Sequence, residues 1–143
     1  MQKKPLIVGE STPYGTDPEF VLHPYPPKAS GDRLCRVIMG LRPSEYIKKF
    51  DRTNLCDGAF KMIPAKKEAE RLVMEHNADQ FVLLGAKVAA AFGLKYEPLA
   101  VKRPFMLGPD LLMLPHPGAL NRIWNNPGYM EEVRCFLRME GIL

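Results

Sequence analysis

Cysteine is scarce in this sequence, and its spacing gives no recognisable framework. The three cysteines, Cys35, Cys56 and Cys135, are odd in number, lie far apart and form no CxxC pair. Neither a disulfide framework nor a four-thiolate metal site is indicated by such spacing. We expect three reduced thiols that belong to the core.

Long apolar runs, repeats and low-complexity tracts are also missing. No apolar stretch approaches the roughly 20 residues that span a bilayer, and the stretch after the basic N-terminal residues is too short for a signal peptide. We therefore predict a cytoplasmic protein without a membrane partner, and we expect a monomer.

The composition that is present suits a single folded domain. The 143 residues are 46% hydrophobic, which is enough to bury a core, so we assign residues 1–143 to one domain. The net charge of +4 permits a polyanionic partner without requiring one.

Short apolar runs alternate with helical patterns along the chain. The runs end in Gly or Pro and predict strands covered on both faces, and the helical segments between them have recognisable ends. The predicted strands are Pro5–Gly9, Arg52–Cys56, Phe81–Gly85 and Asp110–Pro115. The first predicted helix is capped by Ser30 and reaches Leu41. The other predicted helices are Pro43–Phe50, Pro64–His76, Ala86–Phe92 and Pro127–Glu140. This alternation predicts an α/β fold, a three-layer α/β/α domain with a small, mostly parallel four-stranded sheet.

Polar side chains follow these predicted strands. Glu10 and Ser11 come after the first strand, Asn54 lies in the second, and His116 follows the last. Since parallel α/β sheets bind ligands beyond the carboxyl ends of their strands, we expect a carboxylate, a carboxamide and an imidazole to converge on one edge.

Four stretches resemble, in order, the motifs of the uracil-DNA glycosylase superfamily. "VGESTPYG" is similar to its water-activating loop, "FDRTNLC" falls where the family keeps a base-reading Asn, "FVLLGAKVAAAFG" resembles its strand-to-helix step, and "PHPGALNR" resembles its His-Pro pair and DNA-wedging loop.

Two features depart from the family: Thr12 is an extra residue in the first motif, and the cysteines that hold an iron-sulfur cluster in some members are missing. We predict no cluster, and neither a metal nor an organic cofactor.

The resemblance implies a role for each residue of the pocket. His116 would donate to a carbonyl oxygen of the departing base, while Glu10 would position water and stabilise the cationic sugar. Asn54 would read the base, because its carboxamide can donate to a pyrimidine carbonyl and accept from the ring N–H, whereas cytosine presents the reverse arrangement. Gly9 and Ser11 would line the base site.

The resemblance also implies residues that hold the DNA. Leu120 would fill the space left by a flipped base, Asn121 would contact the orphaned partner base, and Arg122 would hold a flanking phosphate.

An irregular, aromatic-rich segment from Thr12 to Gly31 has no periodicity, which is typical of functional or mobile loops. Its rings Tyr14, Phe20 and Tyr25 would stack on the flipped base or close the pocket.

Plainer interpretations stay open for these residues. Glu10 could cap a loop while backbone carbonyls hold the water, Asn54 could be a turn residue, and the aromatic segment could be a packed lid without ligand contacts. Trp124 is interpreted as a core or loop anchor rather than a DNA contact.

The sequence therefore predicts a monofunctional DNA glycosylase that flips and removes uracil or a modified pyrimidine, as in base excision repair, with DNA as its partner. The alternative is a non-catalytic DNA- or nucleotide-binding protein on the same fold. An enzyme that cleaves a free nucleoside or nucleotide is a third interpretation.

Overall fold

The computed structural model of the protein describes residues 3–12, 15, 17–25, 27, 29–103, 107–118 and 121–143. Five strands form one sheet in the order β2-β1-β3-β5-β4. All neighbouring strands are parallel except the β4–β5 pair, which is antiparallel. The strands are β1 Leu6–Thr12, β2 Asp51–Asp57, β3 Gln80–Leu84, β4 Val101–Lys102 and β5 Asp110–Leu114.

The predicted α/β class and the mostly parallel sheet are confirmed, but the predicted strand count of four is wrong. The fifth strand, β4, has two residues and pairs with the edge strand β5. A two-residue strand is too short to show alternation, so the sequence carried no signal for it. The first strand also extends three residues past Gly9, because its pairing with β2 continues to Thr12 and Asp57.

Helices connect the strands. They are α1 Ser30–Asp32, which continues as a π-helical segment Arg33–Ile38, then α2 Pro43–Lys49, α3 Met62–Glu75, α4 Ala86–Ala91 and α5 Pro127–Met139. Short 3₁₀ turns cover Pro18–Phe20 and Arg122–Asn125.

The predicted N-cap of the first helix is wrong, whereas the predicted N-cap of the last helix is confirmed. Ser30 is itself the first residue of α1, and the N-cap position belongs to Ala29, whose side chain makes no capping hydrogen bond. At α5, the Asn126 side chain accepts from the backbone N–H groups of Gly128 and Tyr129, which satisfies two of the unpaired donors of the first turn.

The sheet is the middle of three layers, as predicted. One face packs against the π-helical segment, α2 and α5 through a core that includes Ile7, Val82 and Leu112. The other face packs against α3 and α4 through Val8 and Leu83 among others. Successive strand residues therefore enter opposite cores, which explains why the strand sequences are continuously apolar.

The strand order reverses between β1 and β3. The chain moves from β1 to β2 on one side and from β3 to β5 on the other, so a crevice opens at the carboxyl ends of β1 and β3. This crevice is where the polar residues after the strands collect.

The cysteines are only partly as predicted. All three are free, and Cys35 is fully buried, but Cys56 is half-buried and Cys135 is exposed, so the core assignment is wrong for Cys135. Burial raises the pKa of the Cys35 thiol to about 11, so this group stays protonated at neutral pH.

Among the described residues, no helix is both long and apolar enough to cross a bilayer.

Candidate active site

A small cavity of ≈ 240 Å³ lies in the crevice at the carboxyl ends of the strands. It is smaller than the roughly 300–1,000 Å³ of pockets that take drug-sized ligands, so it suits a small molecule. Its lining residues are Gly9, Glu10, Ser11, Leu22, Ser30, Asn54, Leu84, His116 and Pro117. Residues from three strands and from the loop after β5 thus meet around one space.

The imidazole of His116 has a defined tautomer. Its Nδ1 accepts a hydrogen bond of 2.9 Å from the backbone N–H of Gly118. A nitrogen that accepts carries no proton, so the ring proton lies on Nε2. Gly118 is required for this contact, because a Cβ at that position would lie 2.8 Å from Nδ1.

The backbone around His116 is held by three side chains. Trp124 Nε1 and Asn121 Nδ2 both donate to the His116 carbonyl oxygen, at 2.7 and 3.1 Å. Arg33 Nε, from the π-helical segment, donates to the Pro117 carbonyl oxygen at 3.0 Å. These bonds keep the His116 loop in one position over the pocket, and they confirm the interpretation of Trp124 as a loop anchor.

We expect Trp124→Phe to lower the free energy of unfolding by about 0.5–1.5 kcal/mol, because the buried carbonyl of His116 loses its shorter hydrogen bond. Urea denaturation measures the change. Tyr129→Phe is the matched control: its hydroxyl is buried without a partner among the described residues, so its removal should not destabilise the fold. Equal losses in both variants would contradict the anchoring role.

The carboxylate of Glu10 lies beside His116 and a lysine. Its Oε2 is 3.6 Å from His116 Nε2, and its Oε1 is 3.9 Å from Lys87 Nζ. The distance of 3.6 Å is too long for a hydrogen bond, so the Nε2–H of His116 remains available to a ligand. Gly85, with φ +97°, lies against both groups: a Cβ there would be 3.2 Å from the Cβ of His116 and 3.7 Å from Glu10 Oε2.

Asn54 contributes an unsatisfied polar atom. It lies beside Gly9 in the β1–β2 register, and its buried Oδ1 has no hydrogen-bond partner among the described residues. A Cβ on Gly9 would come within 2.1 Å of this oxygen, so glycine at position 9 makes the space that the carboxamide occupies. A buried acceptor without a donor is costly, and a ligand N–H would remove that cost once a rotation of the side chain turned the oxygen into the cavity.

The predicted residues divide into those that surround the cavity and those that do not. Gly9, Glu10, Ser11, Asn54 and His116 all line it.

Phe20 and Tyr25 do not line the cavity; they are 55% and 58% exposed. Tyr14 and Leu120, predicted to close the pocket and to wedge the DNA, lie outside the described residues.

In the predicted wedge loop, Asn121 has its carboxamide engaged within the protein. In addition to the bond to His116, its Oδ1 accepts from the backbone N–H of Ile123 at 3.3 Å. Arg122 is exposed, at the start of the 3₁₀ turn. The side chain of Asn121 therefore holds its own loop, and its predicted DNA contact would require these bonds to open.

Sequence reasoning missed Leu22, Ser30, Leu84 and Pro117 as lining residues. Leu22 has a φ of +50°, which is uncommon for a residue with a branched side chain. Its carbonyl accepts from the buried Tyr46 hydroxyl at 2.9 Å, a long-range contact that no local pattern announces.

Comparison of the sequence with known protein families finds no family that matches. No curated protein matches the chain either. The described residues contain no group of three or more His, Cys, Asp or Glu side chains placed to hold a metal ion.

Proposed function

We propose that this protein is a monofunctional DNA glycosylase that hydrolyses the N-glycosidic bond of uracil or a modified pyrimidine flipped out of DNA. The proposal is carried by the convergence of Glu10, Asn54 and His116 on one small cavity. Such a reaction needs an anion-stabilising donor near the base and a carboxylate near the sugar, and the carboxamide would read the base.

Asn54 would recognise the base. Its buried Oδ1 would accept from the ring N–H of a uracil-type base, and its amide nitrogen would donate to the neighbouring carbonyl oxygen. Cytosine has no such N–H on its ring and would leave the oxygen unpaired. A site of this kind can discriminate by about 10⁴ or more.

The reaction would break the bond between C1′ of the sugar and the ring nitrogen of the base. The bonding electron pair leaves with the base, where His116 Nε2–H stabilises the charge that develops on a carbonyl oxygen. Glu10 faces the cationic sugar and orients a water molecule, which adds to C1′ and gives its proton to the carboxylate. The products are an abasic sugar and the anion of the base, which takes up a proton from water on release, while Glu10 gives its proton back to the solvent.

The test is base release from labelled single- and double-stranded oligonucleotides that contain uracil, thymine, 5-hydroxymethyluracil, cytosine or hypoxanthine, with abasic sites revealed by alkaline cleavage. We expect release of uracil or of a modified pyrimidine and no release of cytosine. DNA binding without release from any substrate would favour a non-catalytic binding protein. Equal turnover of free nucleosides would favour a nucleoside hydrolase.

We expect Glu10→Gln to slow base release about 10²-fold, because the amide neither carries the negative charge nor accepts the proton of the attacking water. Single-turnover rates with the preferred oligonucleotide measure this effect. Glu70→Gln, at an exposed residue of α3 outside the cavity, is the control. If the Glu10 variant kept the full rate, the water would be activated by another group, such as a backbone carbonyl.

A further inference from the structure

Three aromatic rings lie side by side on the outer surface of the segment that contributes Leu22 to the cavity. The ring centroids of Phe20 and His23 are 5.5 Å apart with an interplanar angle of 65°, and those of His23 and Tyr25 are 5.6 Å apart. Phe20 and Tyr25 are more than half exposed. We call Phe20, His23 and Tyr25 the aromatic patch.

The segment that carries the patch is fixed to the body of the protein. Arg52 donates to the carbonyl oxygens of Val21 and Glu19, at 3.0 and 3.3 Å. Gly31 lies directly against its backbone, where a Cβ would be 2.1 Å from the His23 carbonyl oxygen. The irregular backbone at Leu22 therefore directs one side chain into the cavity while its neighbours keep their rings outside.

Exposed aromatic rings next to a base-sized cavity suggest a specific ligand. We propose that the aromatic patch stacks unpaired bases of single-stranded DNA that flank the base held in the cavity, an inference that rests on the proposed function. Stacking on aromatic side chains tolerates any base, since every base has a π-face.

The patch should distinguish single-stranded from double-stranded DNA. In a duplex the flanking bases are already stacked on their neighbours, so the rings would add little binding free energy. In a single strand the bases are free to stack on protein. Asp17 and Glu19 precede Phe20, and their carboxylates repel phosphates. We therefore expect the phosphates of the single-stranded DNA to lie on the side of the rings that faces away from these two carboxylates.

The test compares the double variant Phe20→Ala/Tyr25→Ala with the parent protein. Fluorescence anisotropy gives the Kd for a labelled single-stranded oligonucleotide with a central uracil and for its duplex. We expect the Kd for the single strand to rise about 10- to 100-fold and that for the duplex to change far less. The salt dependence of binding should stay the same, because Phe and Tyr neutralise no phosphate.

Ile63→Ala/Met74→Ala is the matched control, since both side chains are exposed apolar groups on α3. It should leave both Kd values unchanged, and thermal unfolding checks that each variant is folded. An unchanged Kd for the single strand would overturn the proposal. So would an equal loss of affinity for single strand and duplex.

The binding assay keeps this proposal separate from the proposed function. If no oligonucleotide released a base, glycosylase activity would be refuted, yet a selective loss of single-strand binding would still support the patch. If bases were released while binding was unaffected by the double variant, only the patch would be refuted.

Discussion

Replacing His116 with Ala is expected to slow base release by about 10²–10³-fold, the effect of removing one positioned donor to a developing anion. The hydrogen bond from Gly118 to Nδ1 places the ring proton on Nε2, and the carbonyl of His116 is fixed by Trp124 and Asn121. The donor is therefore oriented before the substrate arrives. Single-turnover rates at saturating oligonucleotide measure the loss, and the Kd for DNA should change little because the donor acts mainly as charge develops.

His76→Ala is the control for this result. The His76 imidazole lies at the end of α3, accepts from the backbone N–H of Ala78 and is 3.6 Å from Asp51, at the opposite end of the sheet from the cavity. Its removal should affect stability but not the rate of release. Base release by the His116→Ala protein at the parental rate would exclude His116 from the chemistry. A rise in the Kd for DNA as large as the loss of rate would assign His116 to ground-state binding.

Much of the fold could be predicted because its strands are buried on both faces. Such strands have continuous apolar sequences that end sharply, as at Gly85 and Pro115. The edge of the sheet has no comparable signal: β4 is short and only partly buried. Glu10 and Ser11 belong to a strand and not to a loop, because β2 supplies backbone partners as far as Thr12.

The part of the candidate site that is positioned by the parallel strands could be predicted from the sequence. His116 follows the carboxyl end of β5, and Glu10 and Asn54 lie in β1 and β2 near the level at which β3 ends, so the parallel arrangement brings the three together. The aromatic residues were harder to place, because the sequence of their segment has no periodicity. Its direction is set by Tyr46, Arg52 and Gly31, which are distant in sequence, so Leu22 and not Phe20 or Tyr25 reaches the cavity.

Gly9→Ala is expected to reduce base release at least about 10²-fold, to near the level of Asn54→Ala, without unfolding the protein. The added Cβ would lie 2.1 Å from Asn54 Oδ1 and 3.3 Å from a Leu22 methyl group. The oxygen is at the end of a rotatable side chain, so Asn54 can turn away at small cost to the fold. The carboxamide would then no longer face the base.

A double-mutant cycle tests this explanation, because two changes that act through one group are not additive. In an Asn54→Ala background the Gly9→Ala change has no carboxamide to displace, so the double variant should release the base no more slowly than Asn54→Ala alone. Gly128→Ala, where the Cβ would meet only Asn126 Oδ1 at 3.2 Å in α5, controls for a general effect of replacing glycine. Additive losses in the double variant would mean that Gly9 affects catalysis by another route, such as direct contact of the strand with the base.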